Sequence, residues 1–94
     1  VPAEALRFTA ADPTLYASST GVQRGFCKTC GTSLTYQTSN HQGEIDITIC
    51  SLDDPAEVRP RDHSYTSDKV RWQIVCDGLP AYPRLRPAEH RKRA

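Results

Sequence analysis

Cys27 and Cys30 are separated by two residues and followed by Gly31, in the run Phe26-Cys27-Lys28-Thr29-Cys30-Gly31-Thr32. Two cysteines at this spacing can aim both thiolates at one metal ion, and a following glycine relieves the backbone where the turn is sharpest. Zinc binds thiolate sulfur at about 2.3 Å in tetrahedral geometry, and a structural site normally has four protein ligands. The run therefore reads as half of a zinc site. Lys28 favours the thiolate form by its charge. A redox dithiol is the competing chemistry, but such a pair usually opens a helix, and this one lies between two segments with strand character.

The remaining metal-capable residues do not complete the set by spacing. Cys50 and Cys76 are single cysteines inside predicted strands. Cys76 shares a face with Trp72 and Ile74 and reads as a small core residue. His41 sits in a polar loop, His63 follows a charged turn, and His90 belongs to the basic end of the chain. Asp53 and Asp54 could be read as paired carboxylates; Asp54 before Pro55 fits better as a helix cap. No phosphate-cradling glycine loop, Ser-His-Asp order or H-E-x-x-H run is present. A half-site can be closed by a second copy of the chain, by a partner, or by a further segment.

The elements that would hold the knuckle are short strands. Thr9 and Arg7 alternate with Leu6 and Phe8, which predicts a half-buried strand over residues 6–9. Residues 15–19 predict a second strand, closed by Ser18-Ser19-Thr20-Gly21. Val22–Phe26 leads into the knuckle and residues 33–37 lead out of it. Over residues 44–50, Ile45, Ile47 and Ile49 fall on one face, with Glu44, Asp46, Thr48 and Cys50 on the other. That is the clearest strand pattern in the chain. Residues 64–66 and 70–75 predict two more, and Asp77-Gly78 a turn. The reading is all-β, with no long amphipathic helix.

Composition sets the scale. The 94 residues suffice for one small domain with a modest core. Hydrophobic residues make up only 37%, so a metal clip would contribute substantially. Residues 84–94 carry a net charge of +4 and residues 1–83 carry −3. The tail predicts a solvated, disordered terminus, and without a basic aromatic face in the body the charge does not favour nucleic acid. No apolar run is long enough for a membrane span. Four cysteines without a signal peptide point to a reducing, cytoplasmic setting.

Several landmarks occur together and in order. They are Arg24-Gly25-Phe26-Cys27-x-x-Cys30-Gly31-Thr32-x-Leu34-Thr35-Tyr36, then Ser51-Leu52-Asp53-Asp54-Pro55, Pro60, His63, Lys69, Trp72 and Asp77-Gly78-Leu79-Pro80. Over roughly residues 5 to 83, this series resembles the carboxy-terminal portion of the glutathione-dependent formaldehyde-activating enzyme family, the GFA or CENP-V/GFA domain. The resemblance implies a small β-tent fold built around zinc, incomplete here on its amino-terminal side. It divides the chain into a partial domain over residues 1–83 and a tail over 84–94.

The resemblance also implies carbon–sulfur lyase chemistry, in which formaldehyde and glutathione join as S-hydroxymethylglutathione. In the family a structural zinc takes two cysteines from a C-x-C motif and two from the C-x-x-C that matches Cys27 and Cys30. A catalytic zinc uses a C-x-C-x-x-C motif. Neither of those other motifs is in this chain, and no position matches a catalytic ligand. The expectations are a zinc-binding member of the family, inactive as given, whose missing cysteines would precede Val1, with a homodimer as the alternative way to close the site.

Overall fold

The computed structural model describes residues 1–88, which divide into a first unit, Val1–Val58, and a second that begins at Arg59. The first unit is built on a four-stranded antiparallel sheet in the order β1 (Thr14–Ser19), β2 (Val22–Phe26), β3 (Ser33–Thr38) and β4 (Asp46–Ile47). Antiparallel neighbours need only short connections. Thr20-Gly21 closes the first hairpin, and the cysteine knuckle closes the second. The regular elements of the described residues are strands and short 3-10 turns, so the all-β expectation is met as a mostly-β structure with no α-helix among the described residues.

The centre of the sheet is closely packed. Gly25 on β2 faces Thr35 on β3, and both are buried, as is Ile45. A side chain at Gly25 would run into the Thr35 hydroxyl and lie 3.3 Å from Pro13 Cβ. Beside this pair, Arg24 is registered with Tyr36. Its guanidinium sits 4.9 Å from the Tyr36 ring centroid, and its Nε donates to Ser18 Oγ on β1 at 2.9 Å. One long cation thus ties three strands together. Between Gly25 and Phe26 the pairing slips by one residue, so that Phe26 lies opposite Ser33. Such an irregularity bends a strand and re-aims its outgoing end. The outgoing end of β2 is the knuckle.

The predicted isoleucine face is present, with Ile45 buried and Ile47 and Ile49 half-buried. The strand itself is shorter than residues 44–50. Thr48 donates its backbone N–H to Leu34 O at 3.0 Å and its hydroxyl to Ser33 O at 2.7 Å. Ser51 then donates to Thr48 O, and Ile49–Ser51 coils into a 3-10 turn. Hydroxyl side chains compete for backbone partners and end a ladder in this way. Residues 6–9 do not form a strand. Alternation predicts which way side chains point, and no neighbouring strand is there to pair. Asp54 caps Pro55–Glu57 as expected, its Oδ1 accepting from Ala56 N at 3.2 Å.

The second unit is held by two extended segments. His63 N donates to Pro80 O at 2.9 Å, and Tyr82 N returns a bond to His63 O at 2.8 Å. Tyr65 N donates to Arg84 O, Thr66 N to Tyr82 O, and Ser67 Oγ to Pro83 O at 2.7 Å. Prolines lack an N–H but keep a carbonyl, and Pro80 and Pro83 serve here as acceptors. Asp62 Oδ2 meets Arg86 Nε at 2.8 Å. Residues 64–66, predicted as a strand, do not form one: Ser64 and Tyr65 are irregular and Thr66 opens the 3-10 turn Thr66–Asp68. Residues 70–75 are not a strand either: Gln73 N bonds Val70 O, and Lys69 Nζ clamps Gln73 O at 2.9 Å. Trp72 is 82% exposed, Ile74 84% exposed, and Cys76 exposed, so the core expected on that face is not formed. Residues 89–94, most of the basic tail, lie outside the described residues.

Candidate functional site

The knuckle is a closed turn. Gly31 N donates to Cys27 O at 2.7 Å, and Cys27 N donates to Thr32 O at 2.9 Å. Together these bonds bring the ends of Cys27–Thr32 to each other across the top of β2 and β3. Gly31 takes φ +79°, in the left-handed region, with nothing within 4 Å of the position a Cβ would occupy. The requirement at Gly31 is therefore conformational, while that at Gly25 is one of space.

Thr32 does more than close the turn. Its Oγ1 lies 3.0 Å from Cys30 Sγ. The Thr32 hydroxyl, then the Thr32 backbone, then the Cys27 side chain hold the Cys30 thiol below its ordinary pKa. Hydrogen bonds to sulfur stabilise the thiolate, which is the form that binds metal. Both cysteines are free thiols, Cys27 half-buried and Cys30 exposed. The donor set fits zinc as far as it goes: two adjacent sulfurs, one already biased toward the anion. Among the described residues no group of three or more His, Cys, Asp or Glu side chains gathers as a metal site. Within the first unit, neither Cys50 nor His41 joins the pair. His90 lies outside the described residues.

A second cluster sits in the second unit. His63 Nε2 lies 2.8 Å from Asp77 Oδ2, and Asp77 Oδ1 accepts from Leu79 N at 3.0 Å. The Leu79 N–H first, and the His63 ring second, hold the Asp77 carboxyl below the ordinary aspartate value. An ionised carboxylate only accepts, so Nε2 carries the proton between them. His63 borders a cleft of about 310 Å³ shared with Asp68, Lys69, Gln73 and Val75. The intervening Tyr65 adopts φ 56°, ψ 37°, the one non-glycine residue with positive φ among the described residues. Asp77 was visible in the sequence only as a turn residue, and Thr32 only as the end of the knuckle. A short polar side chain beside a turn can serve a neighbour as well as its own backbone, and no local pattern distinguishes the two.

A profile of the glutathione-dependent formaldehyde-activating enzyme family matches residues 1–68. The chain belongs to the GFA family. The matched segment starts at Val1 and takes in the sheet, the knuckle and His63. It stops short of Trp72 and residues 77–80, which the landmark series includes, so the family match is shifted toward the start of the chain relative to residues 5–83. No curated protein and no solved structure matches the GFA chain. No helix among its described residues is long and apolar enough to cross a membrane.

Proposed function

We propose that this GFA domain binds zinc through Cys27 and Cys30, which supply two of the four ligands of a structural site in a β-tent. The observation that carries the reading is the knuckle itself. Its turn is closed by two backbone hydrogen bonds, and its outer thiol is biased toward the thiolate by Thr32. A zinc bound there would lock the β2–β3 turn, and a complete site contributes on the order of 10 kcal/mol to folding. No further ligand joins the pair among the described residues of one chain, so the remaining two would be supplied by another segment or by another chain.

The GFA family implies glutathione chemistry, namely carbon–sulfur bond formation and cleavage in formaldehyde–glutathione adducts. A Lewis-acid zinc for that reaction needs several protein ligands and an open position. Cys27 and Cys30 are assigned to the structural site, and the catalytic cysteine motif is not in the chain. The chain as given therefore has the family's architecture without its activity. Zinc per chain, measured together with native mass, tests the first part. Binding that disappears in Cys27→Ser supports it, and zinc content unchanged in that variant defeats it. One zinc per two chains would mean that a second copy closes the site. The second part fails if the pure chain with zinc accelerates the joining of formaldehyde and glutathione above the buffer rate.

A further inference from the structure

Asp77 favours one tautomer of His63. Asp77 Oδ1 is engaged by Leu79 N, so Oδ2 faces the imidazole and accepts from Nε2. With Nε2 holding the proton, Nδ1 of the neutral ring is an acceptor, and it has no hydrogen-bond partner among the described residues. The ring is further held by its backbone, bonded on both sides to Pro80 and Tyr82. Along the same cleft lies Lys69. Its ammonium gives one hydrogen bond to Gln73 O, and an ammonium has three to give. Asp68 supplies a carboxylate to the lining, and it has no side-chain partner among the described residues. The cleft volume of about 310 Å³ is at the small end of ligand sites. Tyr65, in a left-handed conformation, sits in its wall. Backbone strain of this kind concentrates where a site is being shaped.

We propose that this cleft binds a small monocarboxylic acid carrying a hydroxyl or thiol, with the carboxylate on Lys69 and the O–H or S–H donated to His63 Nδ1. Asp68 disfavours a second carboxylate, so monoacids are preferred to diacids. The site belongs to the second unit and owes nothing to the cysteine knuckle. It stands or falls separately from the zinc reading.

The test uses two acids of equal size, 3-hydroxypropionate and butyrate, which differ in a hydroxyl for a methyl. They are titrated into the full chain and followed by amide and imidazole NMR. The expected result is that shifts concentrate on residues 63–75 and that the hydroxy acid binds about fivefold tighter, the worth of one hydrogen bond. Lys69→Met weakens both acids. In Asp77→Asn the Leu79 bond still holds Oδ1, so the amide donates to Nε2 and the proton moves to Nδ1. The imidazole nitrogen shifts report that exchange; a hydroxyl accepts as well as donates, so the hydroxy acid then takes its hydrogen bond from Nδ1–H instead of giving one. Equal binding of the two acids overturns the proposal, as do shifts scattered over the surface. So does an imidazole whose tautomer Asp77→Asn leaves unchanged. Should Asp77→Asn not fold, Lys69→Met decides: unweakened binding of both acids overturns the assignment.

Discussion

Asp77 bridges His63 and the chain just beyond its own turn: one oxygen accepts from His63 Nε2 at 2.8 Å, the other from Leu79 N at 3.0 Å. Both bonds are stronger to the carboxylate form, and its pKa is accordingly depressed, chiefly by the Leu79 N–H. A carboxyl depressed in the folded state favours folding above its unfolded pKa, about 3.9, and the advantage fades as pH falls through the lower, folded value. Acidifying the protein through and below that value is therefore expected to lower its stability. Asp77→Asn, which cannot titrate, should show a shallower loss over the same interval. Denaturant melts of the two proteins across acidic pH provide the comparison. Parallel curves would remove Asp77 from the acid response.

The knuckle gives a prediction about metal. If Cys27 and Cys30 hold zinc, chelation should destabilise the zinc-loaded protein well beyond the effect of any single side-chain contact. For a domain of this size a loss of about 2 kcal/mol already moves Tm by roughly 10 °C, and a closed zinc site is worth more than that. Cys30→Ser should melt at the chelated protein's temperature with or without zinc. Calorimetry with and without chelator checks it. A zinc-dependent Tm that persists in Cys30→Ser would place the metal elsewhere.

Gly25→Ala is expected to destabilise the sheet by about 1–3 kcal/mol, the usual result of forcing a methyl into a filled space. The new carbon would meet the Thr35 hydroxyl and press on Pro13. The companion variant Gly25→Ala/Thr35→Ala opens room and should recover part of the loss. Urea midpoints of the three proteins are sufficient. If the double variant is no more stable than Gly25→Ala, the Thr35 contact is not the cause.

The sheet around the knuckle was legible because its signals are local. Val22–Phe26 and the alternation through Leu34 and Tyr36 are strand patterns and Asp54-Pro55 is a cap pattern, and each formed where expected; of the turn expected over Ser18-Ser19-Thr20-Gly21, the last two residues form it while Ser18 and Ser19 extend β1. Cys27 and Cys30 were singled out by spacing alone, and the structure holds them in one closed turn. The failures are non-local. Residues 6–9 alternate correctly but have no partner. Trp72 and Ile74 share a face by period, yet Lys69 and Gln73 fold that segment into a turn and leave both exposed. His63 could not be placed because its partner lies 14 residues away, in a turn whose aspartate already had a local explanation.

The pairing of Asp62 with Arg86 makes the final prediction. The Asp62 side chain is only 14% exposed, and its Oδ2 lies 2.8 Å from Arg86 Nε. Exposed ion pairs contribute little, whereas breaking a shielded one leaves a charge without its partner. This pair lies between those limits, and Asp62→Asn is expected to cost about 2 kcal/mol. The effect should be local as well. The ion pair fastens the segment whose carbonyls receive Tyr65 N and Thr66 N, at Arg84 and Tyr82. Those two amides should exchange with solvent faster in Asp62→Asn, while the amides of β2 and β3 keep their protection. Exchange accelerated equally in the sheet would mean that the substitution acts on global stability rather than on the clasp. Exchange unchanged at Tyr65 and Thr66 would mean that the backbone bonds hold the two segments without the ion pair.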